Sequence, residues 1–331
     1  MVEAAGSLVA IAILVVAGVV MARRGWLGDR AVEGLKALIT TVTLPLLLFR
    51  AFMQLQPDGR NAVLAAAVFA SCAAMGGIGA VLTRAARLPA PETRLLFQGF
   101  EAGMLGYALF VALHGSERLP AFAALDLGQV IYVFTALLIQ MSILEQHRVR
   151  AEALATVQAD SGGVVVDAVP SHPPITFPWR DIAASKVLWA IGGGLVVATV
   201  APGVAADLTS PDGFAAAIFD TVGGLTTPLV CLVIGASLAA GVPRDPAIIR
   251  VVALRTAVGL VLGLAFGLLV VPALGFSEWH ARAAVMLFLL PAPFVIPVYH
   301  RQNMAFVSSV LTMSTLVSIV LIAVLAVAGV A

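Results

Sequence analysis

Apolar runs of about 20 residues, the helical length that crosses roughly 30 Å of hydrocarbon, recur along the whole chain. Ten can be marked off, at residues 7–21, 33–55, 61–83, 93–114, 120–144, 182–200, 214–240, 247–271, 282–299 and 304–330. This pattern predicts an all-α polytopic membrane protein with ten transmembrane helices. The first run lacks the charged region that precedes a cleaved signal peptide, so it is expected to stay attached. Residues 145–179 form the longest polar stretch and carry Gly162, Gly163, Pro170, Pro173, Pro174 and Pro178, which reads as a mobile linker. The chain then divides into a first five-helix repeat (1–145), a linker (146–179) and a second five-helix repeat (180–331).

One run does not fit an ordinary spanning helix. In LLPAPFVIPVYHRQN (289–303), Pro291, Pro293 and Pro297 each remove a backbone donor and clash with the preceding turn, so the helix must open. Backbone groups freed at membrane depth are tolerated only against a protein-lined cavity, which makes a broken helix a pointer to a transport site. A shorter match relates the two halves: TLPLLL (43–48) and TTPLVC (226–231) each surround the central proline of the second run of a half. Five is odd, so two such halves insert with opposite orientation, giving an inverted repeat. The counterpart of the proline-broken run is then FQGFEAGMLGY (97–107), where Gly99, Gly103 and Gly106 stand in for prolines. Two readings stand for these glycines: an opening of the helix, or a small-residue packing face.

Composition agrees with the pattern. The 331 residues are 61% hydrophobic and 11% charged, and the mean hydropathy is +1.04, which leaves no soluble domain over. A net charge of +1 without a basic block gives no reason to invoke nucleic acid. Of the 19 Lys and Arg residues, only Arg60, Arg118 and Arg282 fall in connections on one side, and Arg50 and Arg255 fall inside runs. The remainder lie on the other side, so the positive-inside bias places both termini outside and the linker in the cytoplasm. Cys72 and Cys231 sit in apolar runs and read as small packing residues. No HExxH, GxSxG or nucleotide-binding loop is present, so neither an enzyme, nor a cofactor, nor direct ATP drive is expected.

Glu101 carries the sharpest chemistry, because an ionisable group at mid-membrane suggests an ion or proton pathway by default. Charged, it would repel an anion: at about 5 Å and an effective dielectric near 20, two like charges cost roughly 3 kcal/mol. That couples anion binding to protonation of Glu101, the energetic basis of symport. A permanently protonated Glu101 bonded to a carbonyl is the alternative. Arg255 is expected either to pair with Glu101 or to snorkel, and Arg50 to snorkel at the outer end of its run. Asp220 is expected at the cavity or in a structural role near a helix start. Gln98 and Gln129 are candidate cavity amides, with interhelical bonding as the competing role. Ser308, Thr312 and Thr315 form a polar stripe at helical spacing, and His300, Arg301, Gln302 and Asn303 close the broken run on the inner side as a candidate gate.

The order of RRGWL (23–27), LITTVTLPLLLFR (38–50), GFEAGMLGYALFVALHG (99–115), TTPLVCLVIGASLA (226–239) and LLPAPFVIPVY (289–299) resembles the auxin efflux carrier family. That family includes plant auxin exporters and bacterial carriers of malonate-like acids, within the bile, arsenite and riboflavin type of transporter superfamily. The resemblance implies a scaffold of helices 1, 2, 6 and 7 that dimerises, and an elevator-type core of helices 3, 4, 5, 8, 9 and 10. Helices 4 and 9 would cross at a substrate site containing Gln98, Glu101, Gly103, Gly106, Pro291, Pro293 and Pro297. Members usually carry an asparagine and then a proline in helix 4, where this chain has Glu101 and Ala108. The implied function is secondary active transport of a small organic anion through the lipid bilayer of a bacterial inner membrane, coupled to protons through Glu101 with Arg255 as its candidate partner. Alternatives are a sodium-coupled bile-acid-type carrier, a carrier of a cationic substrate, and a membrane sensor that does not transport.

Overall fold

The computed structural model describes residues 2–55, 58–160, 179–210, 213–239, 241, 244–300 and 302–330, and among them every regular element is helical. The long elements are α1 (Val2–Arg23), α2 (Asp29–Met53), α3 (Gly59–Ala85), α4a (Glu92–Leu96) with α4b (Ala102–His114), and α5 (Ser116–Arg150). Beyond the central stretch come α6 (Lys186–Val200), α7 (Ala215–Leu238), α8 (Pro246–Ala273), α9a (Glu278–Leu289) with α9b (Ile296–Tyr299), and α10 (Met304–Val327). Seven of these helices are continuous and apolar enough to cross a membrane, and α6 adds an eighth if joined to the Pro202–Thr209 helix that leaves it at 116°. That bend was not expected; Pro202 starts the new helix because it cannot continue the old one. The interrupted elements are α4 and α9, the two segments in which a break was weighed.

One sequence expectation needs correction. Residues 145–160, expected to belong to a mobile linker, are helical and continue α5 to Asp160. The reason is local: no Gly or Pro occurs before Gly162, and Glu145 pairs with Arg148 one turn on. The Gly and Pro residues of the expected linker, 162–178, lie outside the described residues.

Helix starts carry their own signals. Asp58 caps α3 by accepting from Asn61 N at 2.7 Å, and Asp245 caps α8 by accepting from Ala247 N at 2.7 Å, with Pro246 at the first helical position. The Asn61 amide, with Arg60 beside it, holds the Asp58 carboxyl below the usual carboxylate range. A depressed folded-state pKa means that this contribution is present above the unfolded value and is lost as the pH falls through the folded one. Asp58→Asn, an equally good cap, is expected to keep the stability at neutral pH while removing this part of its acid dependence, as read from melting temperature against pH.

Two of the π-helical turns, Ile39–Thr43 and Phe219–Gly223, lie in α2 and α7 just ahead of Pro45 and Pro228. A widened turn accommodates the missing donor and the ring. The short TLPLLL and TTPLVC motifs therefore mark the same local distortion in both halves.

Packing is closest within two sets of helices. α1 runs along α7, and α6 along the Leu44–Met53 part of α2; separately, α3 packs on α5, and α8 on α9a and α10. A Cβ on Gly235 would lie 2.9 Å from Gly18 Cα, so α7 and α1 touch backbone to backbone. Two cavities are lined by residues from both sets.

Candidate functional site

The two breaks meet, and several of the backbone groups that they free find partners in distant helices. Helix α4a ends at Leu96, Gly99 turns the chain with φ of +66°, and α4b starts after Glu101. Helix α9a ends at Leu289, and Leu290 is extended at φ −65°, ψ 152°. Glu101 N donates to Pro291 O at 2.8 Å, so the breaks bond directly to each other. Arg255 reaches in from α8, with Nη1 donating to Leu96 O (2.5 Å) and Nη2 to Gly99 O (2.7 Å) and Leu290 O (3.3 Å). Ser318 of α10 donates to Leu289 O at 2.5 Å, and Gln129 Nε2 of α5 to Phe100 O at 2.5 Å. Side chains thus satisfy the carbonyls that a continuous helix would have bonded itself.

This corrects the expectations for Arg255. It neither snorkels nor pairs with Glu101: its guanidinium, 4% exposed on a residue basis, is spent on three carbonyls and lies over the Phe100 ring at 5.8 Å. A planar fork of five donors matches several converging carbonyls, whereas a carboxylate would occupy only one edge.

Glu101 takes the opposite set of groups. Its Oε1 accepts from Met104 N at 3.1 Å, in the first turn of α4b, and its Oε2 accepts from Phe294 N at 2.6 Å, in the α9 break. The carboxylate therefore bridges the amides of both interrupted helices while the residue is only 8% exposed. The alternative of a carboxyl donating to a neighbouring carbonyl is not the contact seen.

A cavity of about 340 Å³ adjoins the crossing and is lined by Glu101, Gly103, Asp126, Gln129, Ser185 and Pro293 among others. Among the described residues, no Lys, Arg or His lines it. Asp126 escaped the sequence reading, although an acid inside an apolar run, three residues before Gln129, was the available signal. Its Oδ2 accepts from Tyr107 Oη at 3.0 Å, while Oδ1 has no hydrogen-bond partner among the described residues; nor has Gln129 Oε1. Gln129 thus serves both weighed roles, bonding between helices and lining the cavity. Gln98 serves one: Tyr132 Oη donates to its Oε1 at 2.5 Å, Gln140 exchanges two bonds with it, and it does not line the cavity.

The glycines divide by role. A Cβ on Gly99 would sit 2.9 Å from Pro293 Cγ and 2.9 Å from Val133 Cγ2, on a backbone that disfavours side chains. Gly106 is a packing position, where a Cβ would meet Phe122 at 2.7 Å and Leu290 at 2.8 Å, while Gly103 lines the cavity with only ordinary contacts. Gly99→Ala is expected to cost about 1–3 kcal/mol in a chemical denaturation series through strain and crowding, whereas Gly103→Ala should be close to neutral.

A second cavity, of about 400 Å³, lies between α7 and the α9b and α10 helices. Lys36, Pro297, Ser308, Thr312 and Thr315 line it, so the α10 stripe faces a space and not only a neighbouring helix. Met104 and Phe294 line both cavities. Asp220 lines neither; it forms an ion pair with Arg50, whose side chain is 9% exposed and does not snorkel. A partner on the adjacent helix makes burial of the guanidinium cheaper than a stretched, strained escape to the surface. His300 is buried 3.9 Å from Glu92 of α4a, bringing the end of one interrupted segment to the start of the other. Arg301, the other basic residue of the expected gate, lies outside the described residues.

Comparison with protein families gives a match over residues 4–326 to the model described as membrane transport protein, the domain of the auxin efflux carriers. Comparison with curated proteins returns no match.

Proposed function

The chain belongs to the membrane transport protein family of auxin efflux carriers, and from that premise we propose that it is a secondary carrier of a small organic anion, coupled to protons through Glu101. The observation that carries this reading is the Glu101 carboxylate held by the Met104 and Phe294 amides beside a cavity that no basic side chain lines among the described residues. An anion entering that space meets a like charge unless Glu101 has taken a proton, so cargo and proton bind together.

The rest of the mechanism is part of the same proposal. Helices α1, α2, α6 and α7 serve as a scaffold, which also joins two copies, and the other six form a moving core of an inverted repeat with ten spans. The close pairing of α1 with α7 and α2 with α6 supports that division. Lys36, Ser185 and Ser308 line the two cavities on the side that the positive charges assign to the cytoplasm. On the opposite side Thr227 donates to Ala108 O at 3.0 Å and holds α7 against α4b. This is the arrangement of an inward-facing state in a bacterial inner membrane with both termini outside.

A cationic cargo is the second reading, favoured by two acids, Glu101 and Asp126, lining one cavity with no base among the described residues. A thermal-shift screen of small carboxylic acids and small amines selects the cargo class, because a ligand of the folded state stabilises it. Counterflow of the radiolabelled hit in liposomes then tests transport. Transient accumulation above equilibrium is expected; binding without counterflow would replace the carrier with a sensor.

A further inference from the structure

We propose that the anion seat of the crossing is the pair of backbone amides of Met104 and Phe294, and that Glu101 is its tethered occupant, which a free carboxylate must displace. This rests on the reading of the crossing as the transport site, and it assigns what that site recognises.

The geometry is that of a bound carboxylate. Two oxygens of one group each take one N–H, from Met104 at 3.1 Å and from Phe294 at 2.6 Å, and the two donors belong to different interrupted helices. Half of the seat is the first turn of α4b, a 13-residue apolar helix whose end favours an anion, and the other half is the α9 break. Glu101 is positioned by its own backbone, since its N–H is bonded to Pro291 O at 2.8 Å and Gly99 turns the chain two residues earlier. The carboxylate thus reaches the seat on a short tether, and no side chain donates to it among the described residues.

A second observation points independently to a ligand in the same space. Asp126 and Gln129 are 2% and 5% exposed, and both line the cavity next to Glu101. Asp126 Oδ1 and Gln129 Oε1 nevertheless lack a hydrogen-bond partner among the described residues. Unmet acceptors in a buried site are costly, and a cargo that brings its own donor removes that cost. The ligand class is therefore a small carboxylate that also carries a hydroxyl or ammonium donor: the carboxylate on the two amides, the donor toward Asp126 and Gln129. Within about 340 Å³ such a molecule fits without expanding the cavity.

Displacement also explains how one acid serves as both gate and selector. Glu101 and the cargo compete for the same two donors, so the seat is never empty when the cavity has no cargo. Glu101→Ala removes the tethered competitor and leaves both amides unmet. Glu101→Gln keeps the volume of the side chain but has only one acceptor oxygen, so one amide is left unmet.

The test uses purified full-length protein in detergent at one near-neutral pH, with formate, glycolate and glycine as probes and chloride as the ionic-strength control. For Glu101→Ala, saturating formate is expected to raise the melting temperature by about 2 °C or more over the chloride control. Glu101→Gln should show a smaller rise, and the unmodified protein a smaller one still. Glycolate or glycine should exceed formate in Glu101→Ala, and this excess should shrink when Gln129→Leu is added. Equal responses in all three proteins, or none in a folded Glu101→Ala, would overturn the assignment. If Glu101→Ala does not fold, Glu101→Gln against the unmodified protein decides, and equal responses there overturn it too. Anion-dependent stabilisation in the variants together with no counterflow by the unmodified protein would uphold the seat and refute the carrier reading.

Discussion

Arg255→Met is expected to lower the unfolding free energy by about 2–5 kcal/mol and to abolish transport. The lower figure follows from three interhelical hydrogen bonds valued at the modest size found in membrane proteins, and the upper from removing the donor that buried carbonyls depend on. The second effect should dominate, because Leu96, Gly99 and Leu290 have no water to turn to at the crossing. Arg255→Lys restores the charge but offers a point donor in place of a fork, so it should recover only part of the loss. Midpoints of chemical denaturation for the three proteins check this. A midpoint for Arg255→Met within error of the unmodified protein would mean that the breaks are held by something else.

In reconstituted vesicles, Glu101→Gln is expected to lose acid-driven uptake while retaining exchange of cargo down its own gradient. The size follows from the charge repulsion: roughly 3 kcal/mol between two like charges at about 5 Å corresponds to a coupling of about 100-fold in affinity. A neutral side chain removes that coupling in both directions, because the effect of proton on cargo equals the effect of cargo on proton. The pH dependence of uptake should therefore flatten, with the unmodified protein more active at acid pH. Acid-driven uptake that survives unchanged in Glu101→Gln would sink the coupling role, leaving Asp126 as the remaining acid of the cavity.

Residue by residue, the legible features were those with a local cause. Pro291 and Pro293 keep α9 open wherever the chain packs, while Pro297 starts α9b; of the two readings held for the glycines, Gly99 takes the opening, at a left-handed backbone that disfavours side chains. Glu101 was marked by being an acid in an apolar run. Arg50 and Arg255 were misread because both have long stems that would reach a surface, and nothing nearby in sequence announces their partners, Asp220 and three carbonyls. The helix to Asp160 was misread for a different reason: polarity was taken to mean loop, although a polar stretch without Gly or Pro continues a helix once it leaves the membrane.

By itself, the sequence determined that this chain is an all-helical membrane protein, that its α9 run must break at the prolines, and that an acid stands in the glycine-rich run it pairs with; the opening of α4 and the bend after α6 were left to the structure. Hydrophobic length, proline and glycine act through the solvent and the local backbone, so they need no knowledge of distant contacts. Only the tertiary structure decided which freed backbone groups meet which side chains. The carbonyls went to Arg255, Ser318 and Gln129 and the amides to Glu101, across separations of up to 193 residues. Those pairings depend on directed hydrogen bonds in a medium without water, where every freed donor and acceptor seeks the nearest partner that the packing of distant helices supplies.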